Sequence, residues 1–513
     1  MRTATLSVVI DFMSLLRVNV LSNLVGQGVV AILSLLVVPW YIAYMGVESY
    51  ALVGVYASLQ AMFAVLDMGL SQTLGREMAL HSGRTKETSD LLNIACTLEG
   101  IYALGAGLVF VCIAAGADFL AYHWLNPIEL SAATVAEVIW IVGLVVALRW
   151  PLALYTGGLY GLQRQLLLNA LLVGFTVLQT VGALGVLALL SPTVEVFFVW
   201  QAVVAVVQVL VTRWVFWRCL PEGRGRFSLA AVRHIWRFAL GMTAISLLST
   251  ILTQLDKVVL SRFVDLKVFG YYVLASTAAA VLYKLGYPIF NAFLPKLTQL
   301  NALDDKHSLR NTYRLGCQLL SLMIMPCAML LAFYAEPVLA LWTGNHELVE
   351  NTKLIFSLIV IGNAFNTLMS MPYALQLAHA WTRLSIIQNI LSVIVFVPMI
   401  YYLVRGYGVV GAAGAWILLN VLSMAGGLWA MHQRLLPCEQ AQWYRNTLFA
   451  PLLGGGIALA MSASLPNPGM GWAAWPLAVA AVWVALAVAL TLGEIRSRLF
   501  RLCSAWWMKI RMS

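Results

Sequence analysis

Long apolar runs recur from one end of this chain to the other, and they set the class of fold before any motif is considered. A run of about eighteen or more apolar residues is long enough to cross a bilayer as a helix. Fourteen such spans are predicted, near 20–43, 48–74, 91–116, 135–158, 166–190, 194–217, 238–262, 268–294, 313–335, 353–377, 384–404, 409–431, 447–465 and 474–492. With 62% hydrophobic and 10% charged residues, 513 residues leave no room for a soluble domain. Even the longest polar stretch, Arg218 to Arg237, is interrupted by Phe227, Leu229 and Trp236. The expected class is an all-α integral membrane protein of about 14 transmembrane helices.

The net charge of +10 is distributed as a membrane topology requires. With the N-terminus inside, 24 of the 31 Lys and Arg fall in inward loops and the tail, and four, Arg262, Lys267, Lys353 and Arg405, fall outside. This bias predicts a multi-pass protein with both termini in the cytoplasm. No basic run interleaved with aromatics points to nucleic acid. Asp11 and Arg17 interrupt the early apolar stretch, so a retained first helix is expected rather than a cleavable signal. The seven cysteines lack CxxC spacing and read as small apolar fillers. The basic tail, residues 495–513, either lies in the interface with Trp506 and Trp507 or is simply solvated.

An internal repeat is visible. Gly46–Ser58 aligns without gaps on Asp265–Thr277, relating the hairpin of the first two spans to that of the seventh and eighth. A shift of six helices keeps both halves in one orientation, as in a parallel repeat, and such transporters place their site between the halves.

Three cations lie well inside apolar helices: Arg149, Lys257 and Lys284. A charge at the bilayer centre costs at least about 2.5–3.5 kcal/mol, so these residues are expected to face a wet cavity that receives an anion. Lys257, further along its span, has snorkelling as an alternative. The acids Asp67, Glu99 and Asp256 are candidates for pairing with these cations or for ion coupling. Asp256 and Lys257 are adjacent, about 100° apart on a helix, and are not expected to face each other. Polar positions that share helix faces, Asn23, Gln60, Thr250, Thr253, Thr277 and Asn291, are expected to line the cavity, with helix–helix bonding as the other reading. The sequence carries no P-loop, no HExxH and no set of outer-loop carboxylates for sugar transfer, so a transporter is expected and not an enzyme; no metal or cofactor is expected beyond a coupling ion, H+ or Na+.

Two segments then resemble a known family. VLDMGLSQTLGREMA (65–79) and TQLDKVVLSRFVDLKVFGYYVLAS (253–276) look like the second helix end and the seventh-to-eighth junction of Wzx-type polysaccharide transporters, which belong to the MOP (multidrug/oligosaccharidyl-lipid/polysaccharide) superfamily. The resemblance implies two pseudo-symmetric six-helix lobes around a central cavity, plus a C-terminal helix pair. The lobes would be 1–218 and 238–435, joined by a linker at 219–237. The helix pair would be 436–494, followed by the tail. It also implies a flippase in the bacterial inner membrane that turns over an undecaprenyl-diphosphate-linked glycan by ion-coupled alternating access, alongside other polysaccharide assembly proteins. A drug or metabolite antiporter, a lipid II flippase and, less readily, a membrane glycosyltransferase or polymerase are the alternatives.

Overall fold

The computed structural model describes residues 26–81, 88–221, 223, 225–228 and 247–464. Every regular element among them is helical. In chain order these are α1 (Gly26–Met45), α2 (Val47–Ala64), α3 (Leu70–His81), α4 (Thr88–Phe119), α5 (Ala132–Arg149), α6 (Leu152–Gly161), α7 (Gln165–Leu189), α8 (Val194–Arg218) and α9 (247–263). They continue as α10 (Leu266–Ala279), α11 (Val281–Ala302), α12 (Lys306–Phe333), α13 (Ala335–Thr343), α14 (His346–Leu368), α15 (Ser370–Ala378), α16 (Thr382–Leu435) and α17 (Ala450–Ser464).

Ten helical segments among the described residues are long and apolar enough to cross a membrane, and this is compatible with fourteen. The segment Arg383–Leu435 would run about 80 Å as one helix, against a core of roughly 30 Å, so it cannot be a single pass. It is broken at Gly408, whose φ of 56° suits a residue without a Cβ, and it supplies the eleventh and twelfth spans. The helix 247–263 and α17 correspond to the seventh and thirteenth spans. The expected fourteenth span, most of the linker and the basic tail lie outside the described residues.

The chain forms two compact units, residues through Leu274 and residues from Ala275. In the first, α3, α4, α6 and α8 meet around a buried cluster that includes Leu74, Met78, Leu98, Tyr102, Leu154, Leu159 and Phe216. Two spans are interrupted. At Trp150–Pro151 the chain passes from α5 into α6. At Met68 (φ 49°) and Gly69 (φ 71°) two left-handed residues separate α2 and its terminal turn from α3. In the second unit, Asn363 of α14 is a hub. Its side-chain oxygen accepts from the Tyr283 hydroxyl at 2.8 Å and from the Trp416 indole at 2.9 Å, and its amide donates to the Ala279 carbonyl at 3.1 Å. Glu439, buried beyond α16, takes a fork from Arg314 at 2.7 and 2.6 Å and fixes the start of α12.

Candidate functional site

The three cations occupy different surroundings. Arg149 ends α5, just before the proline break, and its guanidinium is held from two sides. One terminal nitrogen donates to the Tyr56 hydroxyl of α2 at 2.5 Å and the other to the Gln201 oxygen of α8 at 2.7 Å. Both partners are neutral, so they orient the fork without cancelling its charge. Its Nε is buried without a hydrogen-bond partner among the described residues.

Lys257 is neutralised. Its Nζ lies 3.4 Å from each Asp256 carboxylate oxygen and 3.2 Å from the Thr253 carbonyl. The sequence expectation that Asp256 and Lys257 do not face each other is therefore corrected. The Cα–Cβ bonds do diverge, but the four-carbon stem curls back along α9, and its side chain is only 21% exposed. It does not extend away as a snorkelling lysine would.

Lys284 is the opposite case. It is exposed, and it makes no hydrogen bond or ion pair with the described residues. The neighbouring turns of α11 expose Tyr287, Pro288, Asn291 and Pro295 on the same side.

Each of the three expected acids takes a hydrogen bond from a tyrosine. Asp67, at the α2–α3 break, accepts from the Tyr102 hydroxyl and from Ser71 Oγ at 2.8 Å. Glu99 accepts from Tyr155 at 2.7 Å and forms an ion pair with Arg213 at 2.5 Å. Asp256 accepts from Tyr272 at 2.7 Å as well as bonding Lys257. Glu99 and Asp256 are thus charge-paired, whereas the Asp67 donors are neutral.

Among the polar positions, Gln60, Thr253 and Asn291 are exposed and Thr250 and Thr277 half-buried. The Thr253 hydroxyl bonds carbonyls of its own helix, Ser249 at 3.0 Å and Thr250 at 3.3 Å, which is local backbone bonding and leaves its face open. Asn23 lies outside the described residues.

The repeat acquires a physical meaning in the first unit. The ungapped alignment pairs Gly54 with Val273, and these two residues touch: a Cβ on Gly54 would come within 2.3 Å of Val273. A Cβ on Gly270 would come within 2.5 Å of the Val47 carbonyl. Contact between equivalent positions is what a two-fold axis produces, so α2 and α10 cross as repeat-related helices.

Beside that crossing the chain 124–131 forms a clasp. Glu48, almost fully buried, accepts from the backbone N–H groups of Ile128, Glu129 and Leu130 at 2.8, 2.8 and 3.2 Å. Lys267, the repeat counterpart of Glu48, pairs with Glu129 at 2.7 Å. The Asn126 carbonyl accepts from Leu266 N–H at 2.9 Å, its amide donates to the Arg262 carbonyl at 3.1 Å, and the Trp124 indole donates to Ser261 at 3.0 Å.

Sequence reasoning missed Glu48, Tyr56, Gln201 and Arg213. The signals that mark two of them are present: Gln201 is an amide in an apolar span, and Glu48 and Lys267 are opposite charges at equivalent repeat positions. Arg213 resembled any other basic helix end, with no signal of its pairing.

Comparison with known proteins agrees with this architecture. A putative O-antigen transporter from Shigella flexneri is 20% identical over 418 residues, covering 80% of this chain and 96% of its own. Among solved structures, the lipid II flippase MurJ in an inward closed conformation superposes with a TM-score of 0.67 at 12% identity, covering 92% of this chain and 98% of that one. An inward-facing multidrug resistance MATE family transporter of the MOP superfamily gives a TM-score of 0.64 at 16% identity, with 81% and 94% covered. At such identities the solved structures establish the fold. Residues 16–301, more than half of the chain and including both segments that carried the resemblance, match the polysaccharide biosynthesis protein family, and the chain belongs to that family, built on the fold of the MOP superfamily transporters.

Proposed function

We propose that this protein is a flippase that carries an undecaprenyl-diphosphate-linked oligosaccharide, a surface polysaccharide or O-antigen repeat unit, from the cytoplasmic to the periplasmic leaflet of the inner membrane. The observation that carries this reading is the uncancelled charge of two cations, Arg149 held by neutral oxygens and Lys284 held by nothing among the described residues. A diphosphate crossing a bilayer needs compensation for its lost hydration. A pre-oriented guanidinium fork binds phosphate oxygens bidentately, and an ammonium adds a point charge. The polyprenyl tail remains in lipid. Lys257 joins only if its bond to Asp256 opens.

The cycle is alternating access driven by H+ or Na+, and Asp67 is the acid best suited to coupling because, among the described residues, its donors are neutral. Ser71, bonded to Asp67, also lines an open cavity of about 350 Å³ between α3 and α6 with Gln72, Thr156 and Tyr160, so that cavity lies one hydrogen bond from the carboxylate. With both termini cytoplasmic, the 124–131 clasp closes the periplasmic end.

Deleting the gene and analysing the lipid extract by mass spectrometry tests this reading. One accumulated undecaprenyl-diphosphate oligosaccharide is the expected result. Unchanged glycolipids with altered drug resistance would replace it with an antiporter. Lysis with accumulated lipid II would replace it with a lipid II flippase.

A further inference from the structure

The exposed face of α11 carries more than a lysine. Pro288 and Pro295 both lie inside this helix. A proline has no N–H, so each removes the bond to the carbonyl four residues earlier, and its ring pushes that carbonyl outward. The two carbonyls so released belong to Lys284 and Asn291. The same spacing of seven that places Lys284 and Asn291 on one face places their prolines there too.

That face therefore presents, turn after turn, an ammonium, a freed carbonyl, the Tyr287 phenol ring, the Asn291 amide and a second freed carbonyl. Lys284, Tyr287, Pro288, Asn291 and Pro295 are all exposed, Tyr287 to 63%. None of the three polar side chains bonds to another described residue. Two prolines inside one helix, each costing about 3 kcal/mol in an ordinary helix interior, are out of place on a face that only meets lipid.

The ligand chemistry follows from the groups. Freed carbonyls accept hydrogen bonds, so the ligand is rich in donors. An adjacent ammonium excludes a metal cation as the occupant and favours a ligand with an anionic part. An exposed phenol ring offers a flat apolar surface for the C–H face of a pyranose. We infer that this face of α11 is the saccharide-contacting rail: Lys284 takes the anionic linkage, while the carbonyls of residues 284 and 291, the Asn291 amide and the Tyr287 ring take sugar hydroxyls and ring faces. This inference rests on the proposed flippase function and deepens it by separating headgroup binding from glycan binding.

The test measures binding of two probes to the purified full-length protein in nanodiscs. One is undecaprenyl diphosphate without sugar. The other is the glycolipid purified from cells lacking the gene. The substitutions are Lys284→Ala, Asn291→Ala and the double Pro288→Ala/Pro295→Ala. Alanine restores the two N–H groups and raises helix propensity, so the double variant is expected to fold. Losing one or two hydrogen bonds corresponds to about a tenfold change in affinity. The rail predicts that Asn291→Ala and the double proline variant each weaken the glycolipid about tenfold and leave undecaprenyl diphosphate unchanged, whereas Lys284→Ala weakens both. Wild-type affinity for the glycolipid in both rail variants would overturn the rail while leaving the flippase reading intact. Failure of the unsubstituted protein to bind either probe would overturn the flippase reading and the rail with it.

Discussion

The clasp at 124–131 and the exposed face of α11 are both polar patches in a membrane protein, and they are built in opposite ways. In the clasp both repeat-related charges, Glu48 and Lys267, are answered. Glu48 is enclosed and accepts three backbone N–H bonds, Lys267 is paired, and the crossing beside it is so close that Gly54 has no room for a methyl group. On α11 the lysine, phenol and amide reach out with no partner among the described residues, and two prolines release further acceptors. A polar group buried and satisfied contributes to stability, whereas one left open makes no internal bond and contributes none. The clasp is thus built as a closed structural contact, and the α11 face is open in the way the inferred saccharide rail requires.

The contrast is easiest to break at Glu48. Glu48→Ala removes the charged acceptor of three part-buried N–H bonds, each worth about 1.5–3 kcal/mol, so a loss of at least ~3 kcal/mol is expected. Thermal unfolding of the purified protein in detergent should show a large fall in melting temperature. An unchanged melting temperature would mean the clasp does not hold the fold. Next comes Gly54→Val. Its side chain must displace Val273, an overpacking that costs about 1–3 kcal/mol or forces α2 and α10 apart. A spin-label distance between these helices that stays constant in this variant would show that the crossing is looser than it looks.

Arg149 stands between the two extremes, because it is bonded yet uncancelled. Arg149→Ala should cost about 1–2 kcal/mol through the lost bonds to Tyr56 and Gln201, and it should also stop glycan export. A variant that loses stability but exports normally would move Arg149 into the structural class. Glu99→Gln should matter less. Its partner Arg213 is 52% exposed, and such pairs are worth at most about 1 kcal/mol. Export close to wild type is expected, measured as surface polysaccharide per cell. Loss of export at unchanged abundance would instead mark Glu99 as a coupling acid.

Much of this contrast was legible in the sequence. Apolar runs and the placement of Lys and Arg gave the class, because hydrophobic length and leaflet charge are properties of sequence segments. The repeat was legible at Gly46–Ser58 and Asp265–Thr277, and the structure makes Gly54 and Val273 neighbours. Lys284 and Asn291 were legible as a stripe, yet the prolines four residues after each were a second signal that helical spacing alone did not use. What could not be read was partnership. Lys257 and Lys284 look alike as cations in apolar spans. Only the reach of a flexible stem toward Asp256 separates a neutralised lysine from an open one. Arg213 and Glu99, far apart in the chain, meet only because α4 and α8 pack together.

Lys284 gives the smallest effect on stability and so the sharpest division between the two regions. Its side chain is exposed and bonds to no described residue, so Lys284→Ala removes no hydrogen bond or ion pair with the described residues and should change stability by no more than about 0.5 kcal/mol. If the α11 face served only the fold, export would be equally unchanged. If it binds the anion, export should fall at least tenfold while abundance and melting temperature stay at wild-type values. Lys284→Arg keeps the charge and should restore part of the export, because a guanidinium can replace the ammonium at a phosphate but not its compact geometry. Full export in Lys284→Ala would remove the difference between the two regions, because an open lysine on a membrane helix would then have neither a structural nor a ligand-binding reason to be there.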